Sequence, residues 1–474
     1  MTPLSRCHRV NPWRYRIALG VVCGFAIAEP AWAWGSHSEI TRAAMAVLPE
    51  RDAAEKALGD EWFELPEYAW IPDWQSHIRF GVYVDDFLLF PSLPRHVSHM
   101  VPDAEATFAP LFRRSLQALR TENSFNAARW IGSLLHYIED SGSPPHAVGI
   151  GGDLHNKMET WLDTTRIRID GYEPTLLGRT DDEAVRGFEA RMERLIEFSR
   201  ERGTKIAPVV GALADREDQE AILECAQEAA RTVADSLYTL FRLALAPIQR
   251  AGCSLSGVVR IRDGNALPPT GARIMLAGTE FSTVTDRVGR YSFRDLSPGR
   301  VTVLVQATGA ETRRVEGIAL RRNQPARRDV TLEPDRLGPN ILRNARFDLS
   351  WYGQDAPDAW RRDEENPKRW ASLPVPVPHG TPLRLTIDFV EKPVPVSIRW
   401  RADARFVANG STTAIPTSHV AGTVLSSIVA PDASIGPAHG DAVFVELLIE
   451  TDKSLRDVCR GAALIPVTAE PTEK

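Results

Sequence analysis

Two pairs of histidine and carboxylate residues stand out in this chain because each pair has the spacing of about one helical turn. His136 and Asp140 are four residues apart, and His155 and Glu159 repeat that spacing. Side chains four apart project from the same face of a helix, so each pair places an imidazole beside a carboxylate. Two helices that each turn such a pair inward are a recurring way to build a metal site in a helical bundle.

His146 lies between the two pairs and strengthens this interpretation. It follows Pro144 and Pro145, where a helix cannot continue, so the chain turns there and can bring His146 back towards the same face. One isolated pair would be explained by a hydrogen bond on a helix surface. Two pairs and His146 within 24 residues (136–159) instead favour zinc, which binds such nitrogen and oxygen ligands.

The first 33 residues have the pattern of a cleaved signal peptide. Arginines precede an apolar run over 17–28, and Ala31-Trp32-Ala33 supplies the small residues of a cleavage site. The apolar run is shorter than the roughly 20 residues that span a bilayer. The sequence therefore predicts a signal peptide over 1–33, with an uncleaved anchor as the alternative, and a secreted or periplasmic protein that begins at Trp34.

The spacing of the histidines and carboxylates resembles the ligand pattern of bacterial zinc-dependent phospholipases C and single-strand-specific zinc nucleases. In this chain the pattern is His136-x-x-x-Asp140-x-x-x-x-x-His146 followed by His155-x-x-x-Glu159. Members of this family begin their mature chain with tryptophan, which is where the predicted cleavage leaves Trp34. A free α-amino group has a pKa near ~7.7–8.0 and can lose its proton to a metal ion. The resemblance covers about residues 34–245.

The resemblance implies three zinc ions within the helical domain. The first ion would be bound by His136, Asp140, an upstream aspartate and an upstream histidine. Trp34 and His37 would hold the second ion, which Asp140 would bridge to the first. The third ion would be bound by His146, His155 and Glu159.

The upstream ligands have two candidates each. His99 resembles the family's histidine, with His96 as its rival. Asp73, in a Pro-Asp-Trp segment, resembles the family's aspartate, whereas Asp86 lies at the more usual distance before His99. The resemblance also implies that this aspartate, Asp73 or Asp86, is the catalytic base that accepts the proton of the attacking water.

The chemistry of zinc then predicts the class of reaction. Zinc lowers the pKa of bound water towards ~7 and stabilises negative charge on phosphoryl oxygens. The predicted function is an exported zinc-dependent phosphodiesterase, a phospholipase C that hydrolyses the head-group phosphodiester of a phospholipid. The alternative within the family is a single-strand-specific nuclease, for which nucleic acid is the partner.

Two features favour the phospholipase over the nuclease. The last implied ligand is Glu159 rather than an aspartate, which leans towards the phospholipase branch. The net charge is −6, whereas proteins that bind nucleic acid without regard to sequence normally carry a basic face.

The chain is long enough to hold further domains beside the helical one. Its 474 residues exceed the ~250–300 at which single cores stop growing. Apolar residues recur at three- and four-residue spacing up to about residue 248, which predicts an all-α domain over 34–248. The predicted helices lie at 38–48, 104–120, 124–140, 154–166, 182–200 and 216–245.

After Pro247 the pattern changes to short alternating runs broken by Asp-Gly and Pro-Gly turns, which predicts β-strands. The Ser-Gly-Val-Val run at 256–259 and the segment 285–293 resemble the carboxypeptidase regulatory-like domain, a transthyretin-like sandwich, over 253–334. Residues 336–474 open with segments similar to galactose-binding-like jelly rolls. The predicted fold class is therefore a helical zinc phospholipase C-like domain followed by two all-β sandwiches.

The β-domains suggest a different kind of partner. They are predicted to contact a membrane surface or a glycan, and four tryptophans of the last domain either form a sugar-stacking surface or fill its core: Trp351, Trp360, Trp370 and Trp400. A third interpretation of the whole chain follows, in which it is a non-catalytic surface or carbohydrate-binding protein with structural zinc.

Overall fold

A computed structural model describes the main part of the chain. The described residues are 36–72, 99–206, 216–245, 252–262, 267, 271–279, 281–350, 356–363, 366–402, 410–437 and 442–467. Several predictions therefore fall outside the described residues: the signal peptide at 1–33, Trp34, Asp73, Asp86, His96 and Trp351. Among the described helices, none combines the length and the apolar character needed to cross a membrane.

The first part of the chain is helical, as the apolar periodicity predicts. Its helices are α1 (His37–Ala46), α2 (Arg51–Leu58), α3 (Glu61–Tyr68), α4 (Phe108–Thr121), α5 (Ser124–Gly142), α6 (Pro144–Val148), α7 (Asp153–Thr160), α8 (Asp181–Ile206) and α9 (Arg216–Leu245). Short 3-10 turns cover Asp103–Thr107 and Thr164–Arg166. One apolar core joins these helices.

The helix predicted over 154–166 is shorter in the structure. It ends at Thr160, and a separate 3-10 turn covers Thr164–Arg166. The physical reason is a side chain that competes with the helix, since Asp163 accepts a hydrogen bond from the backbone N–H of Thr165. The prediction of one continuous helix was therefore wrong over its last turn and a half.

Helix α5 lies at the centre of the helical part. The side chain of Asn123 caps it by accepting a hydrogen bond from the Asn126 N–H, and Pro144 stops it beyond Ser143. Every residue from Phe125 to Gly142 is buried. Any polar side chain on this helix has consequently lost its water and needs partners within the protein.

Gly132 allows α3 to pack directly on α5. A Cβ atom at this position would lie 2.4 Å from Cβ and 2.5 Å from the carbonyl carbon of Tyr68. Backbone atoms cannot move aside as the end of a long side chain can. The absence of a side chain at Gly132 therefore sets how closely the end of α3 approaches α5.

We expect Gly132→Ala to destabilise the helical part by roughly 1–3 kcal/mol, because overpacking costs this much even though alanine favours helices. Thermal unfolding followed by far-UV circular dichroism measures the effect. Gly151→Ala is the matched control, since nothing lies within 4 Å of its added Cβ. Equal unfolding midpoints for the two variants would contradict the close packing of Tyr68 on Gly132.

The second part of the chain consists of two facing four-stranded sheets. Its strands are β1 (Cys253–Ile261), β2 (Ala272–Leu276), β3 (Ser282–Val284), β4 (Arg290–Leu296), β5 (Gly299–Ala307), β6 (Arg313–Leu320), β7 (Ala326–Arg327) and β8 (Val330–Leu332). One sheet has the order β4-β1-β7 with β8 also paired to β1, and the other has the order β3-β2-β5-β6. A separate apolar core fills the space between them.

The third part is also built from two sheets. Its strands are β9 (Trp360–Arg362), β10 (Arg369–Ser372), β11 (Val375–Pro378), β12 (Leu383–Phe389), β13 (Val396–Arg401), β14 (Gly410–Ala414), β15 (Val420–Ala421), β16 (Val424–Val429), β17 (Ala442–Glu450) and β18 (Cys459–Pro466), with a helical turn α10 (Leu455–Val458). The sheet orders are β14-β13-β17-β10-β9, with β11 on β17, and β15-β16-β12-β18. The predicted fold class, helices followed by β-sandwiches, is confirmed.

The tryptophans of the third part belong to its core. Trp360, Trp370 and Trp400 are 3%, 6% and 1% exposed and pack in one apolar cluster. The core-filling alternative is thus confirmed for these three residues. A sugar-stacking surface made by them is wrong, because a sugar could not reach rings buried between two sheets.

Candidate metal centre

Four helices bring the predicted ligand residues together. His37 begins α1, His136 and Asp140 lie on α5, His146 lies on α6, and α7 carries His155 and Glu159. The structure places them in two groups, and within each group the ligand atoms all lie within 4.8 Å of one another: His37 with His136 and Asp140, and His146 with His155 and Glu159.

Asp140 is the side chain that joins the groups. Its Oδ1 lies 3.4 Å from Nε2 of His37 and 3.7 Å from Nε2 of His146. Its Oδ2 lies 3.0 Å from Nε2 of His136 and 2.9 Å from Nδ1 of His99. Four imidazoles therefore converge on one buried carboxylate, as expected of a carboxylate shared between metal ions.

His99 lies beside the first group. Its Nδ1 lies 3.0 Å from Nε2 of His136, so these two ring nitrogens and Oδ2 of Asp140 form a compact triangle. The sequence left His99 and His96 as rivals, and the structure describes only His99. We retain His99 as the candidate ligand.

The second group is centred on Glu159. Its Oε1 lies 3.0 Å from Nε2 of His155 and 3.4 Å from Nε2 of His146. The hydroxyl of Ser143 also donates to this oxygen over 3.3 Å. The spacing of four residues on α7 therefore does what the sequence predicts, because it sets an imidazole and a carboxylate side by side.

The histidines are oriented by oxygen atoms behind them. The Nδ1 atoms of three histidines donate to backbone carbonyls: His136 to Ala69 over 2.8 Å, His146 to His99 over 3.1 Å and His155 to Ile150 over 2.8 Å. Because a carbonyl only accepts, each Nδ1 carries a hydrogen, and the Nε2 atom of each ring faces the carboxylates of the cluster. This arrangement is typical of histidines that bind a metal.

Glu139 orients His37 as the backbone carbonyls orient the other three histidines. It was not among the site residues predicted from the sequence. Its Oε2 lies 2.7 Å from Nδ1 of His37, and its Oε1 accepts from the Thr41 hydroxyl over 2.6 Å. Burial raises the pKa of Glu139 well above its usual range, with the charge of Asp140 adding to the effect. The one signal in the sequence is a glutamate within an apolar helical run directly before the candidate ligand Asp140, which marks Glu139 as a polar residue at a buried position but does not identify His37 as its partner.

Several buried polar atoms in the two groups of candidate ligands lie close together without forming hydrogen bonds of normal geometry. Among the described residues, both carboxylate oxygens of Asp140, Nε2 of His146 and Oε2 of Glu159 have no hydrogen bond of normal geometry. Buried polar atoms are nearly always satisfied, so such a cluster needs an explanation. Nitrogen and oxygen donors that point at a common centre fit a divalent metal such as zinc.

Neighbouring charges and burial shift the pKa values of residues in both groups. Burial opposes ionisation of Asp140, but His136 and His146 outweigh it and hold the pKa of Asp140 well below its usual value. Burial likewise opposes the charge on His146, yet Asp140 and Glu159 raise the pKa of His146 to about 9. Burial and the neighbouring His136 lower the pKa of His37 to about 3. In the metal-free protein at neutral pH, the His146 imidazole is thus protonated on both nitrogens and positively charged, whereas His37 is neutral.

We expect metal binding to release a proton from His146. Because the pKa of His146 is raised from 6.5 to about 9, its Nε2 is blocked below that pH, and the apparent metal affinity should rise as the pH increases from 6.5 to about 9. Titration calorimetry in buffers of different ionisation enthalpy measures the release, which should approach about one proton near neutral pH. An affinity that does not change over this pH range would contradict the role of His146.

Comparison with known protein families identifies the domain type of the first β-region. The model of the carboxypeptidase regulatory-like domain family matches residues 254–333, as the sequence resemblance predicts. No curated protein matches the chain.

Three solved structures are weakly similar to this chain. An alpha-toxin from an avian strain of Clostridium perfringens has 11% identity and a TM-score of 0.36, and covers 61% of this chain and 94% of its own. The alpha toxin of Clostridium absonum has 15% identity and a TM-score of 0.35, with 60% and 93% covered. A type II cohesin–X-dockerin complex from Acetivibrio cellulolyticus has 20% identity and a TM-score of 0.16, with 18% of this chain and 58% of that chain covered. All three TM-scores are low.

Proposed function

We propose that this chain is an exported zinc-dependent phosphodiesterase of the phospholipase C type. The observation that supports it most is the convergence of His37, His99, His136 and His146 on the buried carboxylate of Asp140. A single structural zinc site needs four ligands and is closed. Two adjacent groups joined by one carboxylate instead fit clustered ions, which is the arrangement that phosphoryl chemistry uses.

Each candidate ligand among the described residues then has a role in binding the zinc ions. His136, Asp140 and His99 bind at the shared centre, and His37 approaches it from α1. His146, His155 and Glu159 bind beside it. The backbone carbonyls behind the rings and the carboxylate of Glu139 keep Nε2 of these histidines directed inward. The protein thereby fixes the positions of the ligands before the substrate arrives.

Bound zinc supplies a Lewis acid for phosphoryl oxygens and a water whose pKa is lowered towards ~7. The carboxylate of Asp73 or Asp86 would accept the proton of the attacking water. Trp34 contributes its amino group and carbonyl oxygen as further ligands. The substrate is a phospholipid or another phosphodiester, and the β-regions contact a membrane surface or a glycan.

Parallel assays on phosphatidylcholine vesicles and on single-stranded DNA test the proposal. The zinc-loaded protein should release diacylglycerol and phosphocholine, and activity should disappear after chelation and return when zinc is added back. Cleavage of DNA with intact phosphatidylcholine would replace the phospholipase by the nuclease. Bound zinc without activity on either substrate would favour the non-catalytic interpretation.

A further inference from the structure

The second part of the chain contacts the helical part beside the start of α5. Arg294 of β4 donates to the backbone carbonyl of Glu122 over 2.9 Å, and the Asn123 side chain donates to the Val284 carbonyl over 2.8 Å. In the turn between β3 and β4, the guanidinium of Arg287 donates to the Tyr68 hydroxyl over 3.1 Å. The β-sandwich thus reaches the end of α3 as well as the start of α5.

One face of α5 extends from the contact with the β-sandwich, at the start of the helix, to the candidate ligand His136. Phe125, Arg129, Gly132 and His136 are spaced by four, three and four residues, so they share a face of the helix. At about 1.5 Å per residue, Phe125 and His136 are roughly 16 Å apart along the axis. The guanidiniums of Arg287 and Arg129 lie 5.3 and 4.0 Å from the centre of the Phe125 ring.

Tyr68 connects this face to the candidate ligands. It is fully buried, packs on Gly132, and donates its hydroxyl hydrogen to Glu61 over 2.5 Å while accepting from Arg287. The next residue, Ala69, supplies the carbonyl that accepts from Nδ1 of His136.

Trp70 follows Ala69 and extends the connection to a second ligand. Its ring and that of His37 pack nearly perpendicular to each other, with 5.0 Å between the ring centres, and its indole N–H donates to the Ser38 hydroxyl over 2.9 Å. The two residues after Tyr68 therefore contact two candidate ligands, His136 and His37. A displacement of Tyr68 would therefore shift the groups that contact His136 and His37.

We propose that Arg287 of the β-sandwich is a positioning residue for the metal centre. Its guanidinium holds the hydroxyl of Tyr68, Tyr68 holds the end of α3 against Gly132, and the carbonyl of Ala69 then orients His136. The inference rests on the proposed function in requiring that the cluster binds metal. It assigns to the carboxypeptidase regulatory-like domain a part in building the site.

Cobalt binding to the full-length protein tests this role without a substrate. Removing a group that directly orients a ligand costs about 10–100-fold in metal affinity, and Arg287 acts on His136 only through Tyr68 and Ala69. We therefore expect Arg287→Ala to weaken Co²⁺ binding by roughly 3–10-fold and to change the visible absorption of bound Co²⁺, which reports the ligand geometry. Arg287→Lys should restore part of the affinity, because an ammonium can still donate to Tyr68.

Arg294→Ala is the matched control, since it removes a contact between the same two regions that does not involve Tyr68. It should bind Co²⁺ like the unaltered protein. Tyr68→Phe should weaken binding as Arg287→Ala does, and the double variant should be no worse than the more affected single one if the two residues act through one contact.

The outcomes separate the two proposals. If the unaltered protein binds no Co²⁺, the metal centre itself is refuted. If it binds Co²⁺ and Arg287→Ala matches Arg294→Ala in affinity and spectrum, the metal centre stands and the positioning role of Arg287 is refuted. Unfolding midpoints of all variants show whether a loss of binding follows from general destabilisation.

Discussion

Replacing Asp140 with asparagine is expected to remove most of the bound zinc and to lower turnover by at least about 10³-fold, or about 4 kcal/mol of lost catalysis. The substitution keeps the size of the side chain but removes its charge and one acceptor. Four imidazoles lie within 3.7 Å of this carboxylate, so its loss changes the surroundings of all four. Zinc content by elemental analysis and hydrolysis of phosphatidylcholine measure the two effects.

Asp182→Asn provides the control for the Asp140 variant. This aspartate is 71% exposed on α8 and should tolerate the same chemical change. Far-UV circular dichroism should show a helical protein in both variants, because the apolar core of the helices is untouched. Full zinc content and turnover in Asp140→Asn would remove the basis of the metal centre.

The second large effect is expected from Glu139, which contacts no metal in the proposal. Glu139→Gln should weaken metal binding by about 10–100-fold, the usual cost of losing a carboxylate that orients a ligand histidine. An amide can turn its N–H2 group towards Nδ1 of His37, which would force the ring to present a hydrogen at Nε2. Competition with a chromogenic chelator measures the affinity, and His37→Ala shows the loss expected when the ligand itself is missing.

The control for this variant is Glu201→Gln, on the exposed surface of α8. The same substitution there should leave the metal affinity unchanged. If Glu139→Gln also binds metal normally, either His37 is not a ligand or its orientation does not depend on Glu139. Measuring His37→Ala beside it decides between these explanations.

The part of the site that could be predicted from sequence is the part set by local geometry. The pairs on α5 and α7 follow from the four-residue helical repeat, and Pro144 forces the turn that carries His146. Helix α9 was predicted with its observed bounds because a long apolar stripe runs through it without interruption. Helices α2 and α3 were not predicted, since each is only eight residues long and α3 contains Pro66.

The groups that orient the ligands could not be predicted in this way. Glu139 meets His37 across 102 positions of sequence, so its role depends on how α1 packs against α5. The contact of Arg287 with Tyr68 spans 219 positions and depends on how the second region docks on the helices. Contacts of this kind arise from tertiary packing, which leaves no periodic trace along the chain.

The orientation of three histidines by backbone carbonyls also bears on how related chains can diverge in sequence. The carbonyls of Ala69, His99 and Ile150 are present whatever side chain those positions carry. Mutation at Ala69 or Ile150 can therefore proceed without loss of ligand geometry, provided that the new side chain fits its surroundings. A chain could drift far from its ancestors in composition and still inherit the same arrangement of imidazoles through its main chain alone.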